Sequence, residues 1–152
     1  MSFSMNLFED VLERFDESVL CGEIEINGYK ETFFAPVGFW FRIDYLKSWK
    51  KSLDQGLRDR SHAVLATSMR DPGSCNFVFC WVIYIEGERA YIQNHALFLN
   101  ELPVPFIPGD INLHVSAREE INEDGRKISQ WSVDVSSISE FSEILGRWIA
   151  DK

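Results

Sequence analysis

The side chains able to do nucleophilic or acid–base chemistry are few: Ser61, Cys75 and Cys80 as nucleophiles, with His62, His95 and His114 as bases. A nucleophile needs a base beside it and a third group to orient that base. The local contexts, Ser61-His62-Ala63, Gln93-Asn94-His95 and Leu113-His114-Val115, match no such arrangement, and no Gly-x-Ser-x-Gly elbow is present. No catalytic residue is therefore assigned, and the chain is expected not to be an enzyme. Metal chemistry is no better supported. Zinc sites use closely spaced Cys and His pairs, which the chain lacks. Asn122-Glu123-Asp124-Gly125 resembles a fragment of a calcium loop but has no ligand ladder around it, so it reads as a polar turn. No metal or other cofactor is expected.

One polar cluster stands out. Gln93, Asn94 and His95 interrupt a strand otherwise made of Tyr91, Ile92, Ala96, Leu97 and Phe98. By alternation Gln93 and His95 share a face with Tyr91. Buried polar groups need hydrogen-bond partners, so the simpler role is to satisfy the backbone of the irregular stretch that follows. A ligand or partner site is the alternative.

The elements that must position these residues follow from periodicity. Phe8, Val11, Leu12, Phe15 and Val19 recur at helical spacing, with Asn6 and Glu9 as a capping pair, and predict an N-terminal helix with an acidic outer face. Glu23-Ile24-Glu25-Ile26 alternates as a half-buried strand, and Asn27-Gly28 is a strong hairpin turn before a return strand ending at Pro36. Tyr45, Leu46, Trp49, Leu53 and Leu57 define a second helix, whose Lys47, Lys50 and Lys51 read as its wet side. Three antiparallel strands follow, near 62–69, 76–85 and 89–98. The middle one is apolar on both faces and hence central. Four residues, Pro103, Pro105, Pro108 and Gly109, exclude long regular structure after it. A last strand near 128–135 leads to a C-terminal helix, with Ser137 and Glu140 as its capping box. The class expected is α+β: an antiparallel sheet of about five or six strands with three packed helices, in a single domain spanning 1–152.

Length and composition fit that picture. The chain has 152 residues, 45% of them apolar and 14% aromatic, enough for a core without disulfides or metal. Three cysteines with no CxxC spacing read as reduced thiols of a cytoplasmic protein. No leader is expected at the N-terminus. The longest apolar run, Phe77–Ile85, is too short for a membrane helix, which needs about 20 residues.

Charge is the strongest compositional fact. Twenty-four acids oppose 15 bases, for a net charge of −9. Residues 1–31 carry −6 and residues 61–152 another −6, against +3 over 42–60. Direct nucleic-acid binding and anionic membranes are disfavoured, because both need cations placed on phosphates. A basic protein partner is favoured.

Tyr91-Ile92-Gln93-Asn94-His95 with Phe98 and Leu102, then Gly125 with Ile128-Ser129-Gln130-Trp131-Ser132, resemble immunity proteins of contact-dependent growth inhibition systems, the CdiI type, over about residues 60–150. The resemblance implies a cytoplasmic protein without chemistry of its own. Such a protein binds the C-terminal toxin domain of its cognate surface protein, commonly over the active site. Toxins of this kind are often nucleases and often basic. Two rival readings stay open: a small-molecule- or peptide-binding accessory domain, and a hydrolase using His95 or His114. If the partner is a toxin, Glu119, Glu120, Glu123 and Asp124 are expected at the contact, because binding residues concentrate in loops held by a rigid scaffold. Glu23 and Glu25 on the hairpin are further candidates.

Overall fold

The computed structural model describes residues 2–151. Seven strands form two antiparallel sheets. The first contains β1 (Phe3–Arg14), β2 (Glu17–Ile26) and β3 (Tyr29–Pro36), in chain order. The second contains β4 (His62–Ala66), β5 (Phe77–Glu86), β6 (Arg89–Phe98) and β7 (Trp131–Asp134), also in chain order. Helix α1 (Arg42–Asp59) joins the sheets, and α2 (Val135–Ala150) closes the chain. The α+β expectation holds, with the strands divided between two sheets rather than laid in one. Pro36, which has no N–H to extend a ladder, ends β3, and α1 then carries the chain away from the first sheet.

The expected N-terminal helix is overturned. Residues 3–14 are a strand, and Val19 lies in the next one. Phe3, Met5 and Leu7 are buried at period two and pair across to Ile26, Ile24 and Gly22. That alternation outweighs the helical spacing further along. Asn6 caps no helix; its side-chain oxygen accepts the Leu7 N–H. The ladder slips between Leu7 and Val11, and the chain reverses at Phe15-Asp16, both with left-handed φ of 54° and 61°. The Asn27-Gly28 turn forms as expected, with φ of 50° and 88°.

Helix α1 buries Tyr45, Leu46, Trp49 and Leu53 against β4. Trp49 donates its indole N–H to Ala66 O at 2.8 Å. Tyr45 Oη donates to Pro36 O at 2.6 Å and accepts the Met69 N–H at 2.9 Å, tying β3, α1 and the connection that follows β4 together. Two of the lysines on the expected wet side are engaged. Lys50 donates to Ser142 O and Oγ on α2, and Lys51 to Gly109 O.

Strand β5 is central, flanked by β4 and β6, and is buried on both faces over Cys80–Ile85. Phe79, expected inside, is nearly half exposed. The stretch from Leu99 to Gln130 is irregular, with two short 3-10 helices and one isolated bridge, Ile121 to Lys127. The last strand is shorter than expected. Helix α2 starts at Val135, so Ser137 lies inside its first turn and Asp134 occupies the N-cap.

Candidate functional site

Each of the three histidines has one ring nitrogen held by an ordinary structural partner. His62 Nε2 lies 2.7 Å from Asn112 O. His114 Nε2 accepts the Ile107 N–H at 2.9 Å, and its ring packs on Phe106. His95 donates from Nε2 to Gln93 Oε1 at 2.9 Å. Burial pushes the pKa of both His95 and His114 down, so both favour the neutral ring. Cys80 is fully buried, and desolvation pushes its thiol up to about 12. Such a thiol is inert near neutral pH. Among the described residues no group of three His, Cys, Asp or Glu side chains is placed to hold a metal.

Gln93 is the hub of the polar cluster. It is wholly buried and donates to Glu119 O at 2.9 Å and Gln130 Oε1 at 3.0 Å while accepting from His95. It thereby clamps the irregular segment onto β6. Arg118 adds a second clamp. Its guanidinium lies 4.1 Å from the Tyr91 ring centre and pairs with Glu86 at 2.9 Å and Glu120 at 3.2 Å.

The acids singled out by sequence fall into two sets. Glu119, Glu120, Glu123 and Asp124 are exposed on the segment clamped to β6. Glu120 is paired with Arg118, while Glu119 and Glu123 border a polar pocket of about 280 Å³ with Tyr84, His95 and His114. Glu23 and Glu25 lie on β2, opposite Thr32 and Lys30, with Glu25 at 4.0 Å from the Lys30 ammonium. Among the described residues no hydrogen bond or ion pair links the two sets.

The feature missed by sequence reading lies where the helix was expected. Phe8, Val11, Leu12 and Phe15, read as a buried stripe, are exposed on the β1–β2 hairpin, Phe15 by 81%. Behind the tip is a groove of about 370 Å³ between the two sheets. Phe15, Val19, Phe33 and Phe34 line it from the first sheet, and Phe79 and Trp81 from β5. At this groove Arg70 and Glu17 are joined by two hydrogen bonds, of 3.1 and 2.6 Å. A groove of this kind suits an inserted side chain more than a reaction, since it presents rings, and its two hydroxyls, Thr67 and Ser68, are bonded to the Phe79 backbone. The signal that could have found it is Met5-Asn6-Leu7, whose alternation continues back to Phe3 and marks a strand.

Comparison with known proteins bears on the whole chain. The family model described as the CdiI N-terminal domain matches residues 35–141. The curated immunity protein CdiI of Enterobacter cloacae subsp. cloacae is 42% identical over 125 residues, covering 82% of this chain and 86% of that protein. Among solved structures, a chain of the CdiA-CT/CdiI toxin and immunity complex from Enterobacter cloacae superposes with a TM-score of 0.90 at 37% identity. That match covers 95% of this chain and 99% of the other.

Proposed function

The chain belongs to the CdiI family, and from that premise we propose that it is an immunity protein that binds and neutralises the toxin domain of a cognate contact-dependent inhibition protein. The observation that carries this reading is the likeness, with a TM-score of 0.90 over nearly the full length of both chains, to a component of a toxin and immunity complex. The finer parts of the reading are these. Neutralisation is by one-to-one binding, without catalysis, in the cytoplasm of the producing cell. The partner is basic, as a nuclease that grips a polyanion tends to be. The net charge of −9 supports that complementarity. Both helices and both sheets share one core, which supports a single immunity domain over 1–152. The engagement of all three histidines supports the absence of chemistry. No helix among the described residues is long and apolar enough to cross a membrane.

The test is rescue. The toxin domain is expressed inside cells with and without this chain, and growth is followed. Growth restored only with the chain present, together with a one-to-one complex on gel filtration, is the expected result. Single changes His62→Ala, His95→Ala and His114→Ala should preserve rescue wherever the variant folds. A folded chain that leaves the toxin active would overturn the reading.

A further inference from the structure

The β1–β2 hairpin presents its apolar side chains outward. Phe15 is 81% exposed at the tip, and Phe8, Val11 and Leu12 are exposed behind it. The turn itself is built against local preference. Phe15 and Asp16 both hold left-handed φ, a conformation that favours Gly and Asn. The other hairpin of the same sheet makes the same reversal with Asn27-Gly28, the residues that such a turn prefers. Folding alone would be served by that pair at both tips. The first tip instead places a ring in solvent at the mouth of the groove lined by Phe33, Phe34, Phe79 and Trp81.

The charge around this surface is mostly negative, with Arg14 and Arg70 as its cations. Between Phe8 and Glu17 there are five acids and one base, Arg14. Arg70 engages Glu17, and Glu9 lies 3.7 Å from Arg42. Among the described residues no cation lies within ion-pair distance of Asp10, Glu13 or Asp16. Glu31 borders the groove and accepts only a neutral partner's bond, from Tyr29 Oη. The rings also tolerate a cation above them: the Arg14 guanidinium already sits 5.5 Å from the Phe34 ring centre. Aromatic faces framed by acids suit Lys and Arg, whose stems lie on rings while their heads reach carboxylates.

We propose that the Phe15 tip and the aromatic groove behind it are the surface that anchors the toxin, taking a basic segment whose Lys or Arg stems pack on Phe15, Phe34 and Phe79 while their charges meet Asp16, Glu13 and Glu31. The proposal rests on the immunity reading and names the part of the chain that does the gripping. The acidic segment 119–124 is the rival surface.

The test measures the dissociation constant of the purified cognate toxin domain against the parent chain and three variants. The double change F15N/D16G turns the tip into an Asn-Gly turn. It should leave thermal stability equal or higher and weaken binding about tenfold or more, as the loss of a central aromatic anchor does. Phe79→Thr keeps a strand-compatible residue, should weaken binding likewise, and carries the test if the double change fails to fold. Glu119→Lys with Glu120→Lys should leave binding within threefold. A smaller loss than tenfold in folded F15N/D16G, or in Phe79→Thr if the double change does not fold, would overturn the proposal. So would loss confined to the Glu119 and Glu120 reversals, which would move the contact to that segment. Failure of the parent chain itself to bind would overturn the immunity reading, and this proposal with it.

Discussion

Glu17 and Arg70, 53 residues apart, join the two sheets by a pair of parallel hydrogen bonds, Arg70 Nε to Glu17 Oε1 and Nη2 to Oε2. Each side chain is about one-third exposed, so the pair is a partly screened, bidentate contact at the groove. The Arg70 guanidinium also lies 5.6 Å from the Phe77 ring centre. The pair holds the first sheet, with its hairpin, against the second.

This pair should make stability depend on acid pH. Arg70's hydrogen bonds hold the Glu17 carboxyl below its ordinary value of 4.5, while burial pulls the other way. The unfolded chain therefore binds that proton more readily. The contribution is present above about pH 4.5 and is lost as pH falls through the lower folded value. Glu17→Gln should cost about 1 kcal/mol near pH 7, allowing for screening, and flatten the acid limb. Urea midpoints from about pH 7 to 3 measure both effects. An unchanged acid limb in the variant would assign it to other carboxylates.

Gly56 should be intolerant of any side chain. A Cβ there would lie 2.5 Å from the carbonyl oxygen of His62, so α1 would have to move off β4. Gly56→Ala should destabilise by about 1–3 kcal/mol, although alanine is the better helix former. Gly22→Ala makes a closer contact, 2.3 Å, but with the Phe33 ring, which can swing away. It should cost less and disturb the groove instead. Equilibrium unfolding of the two variants, side by side, checks the order.

Removing Gln93 should loosen the covering segment. Its amide is the buried link from β6 to Glu119 O and Gln130. Gln93→Ala leaves Glu119 O unpaired and Gln130 Oε1 with Arg118 alone, at about 1–3 kcal/mol. Amide exchange should speed over residues 115–130 before it does in β5. Uniform speeding across both would show that Gln93 supports the whole core rather than one segment.

Association with the toxin should slow steeply as salt rises, while dissociation changes little. Exposed charges are screened beyond about 8 Å at physiological ionic strength, which removes steering and spares close contacts. Stopped-flow or surface kinetics across a salt series measures this. An association rate indifferent to salt would remove charge steering from the account.

Much of the frame was legible in the sequence because it rests on local chemistry. Asn27-Gly28 makes its turn from two residues that tolerate positive φ. β5 is central because it is apolar on both faces. α1 is read from five residues at helical spacing, and Pro103, Pro105 and Pro108 keep their stretch irregular. Tyr91, Gln93 and Gln130, among the residues carrying the family resemblance, act in the segment's clamp: Tyr91 lies under Arg118, and Gln93 holds Glu119 and Gln130. What remained illegible rests on distant pairings. Phe8, Val11, Leu12, Phe15 and Val19 satisfy a helix as well as a strand. Only the docking of Phe3, Met5 and Leu7 onto β2, about 20 residues along, decides for the strand and turns all of that stripe but Val19 outward. Likewise Glu17 and Glu120 look as free as Asp16 and Glu119 in sequence, and become paired only because folding brings Arg70 and Arg118 to them. The groove joins Phe15 to Trp81 across 66 positions, a distance no local pattern spans.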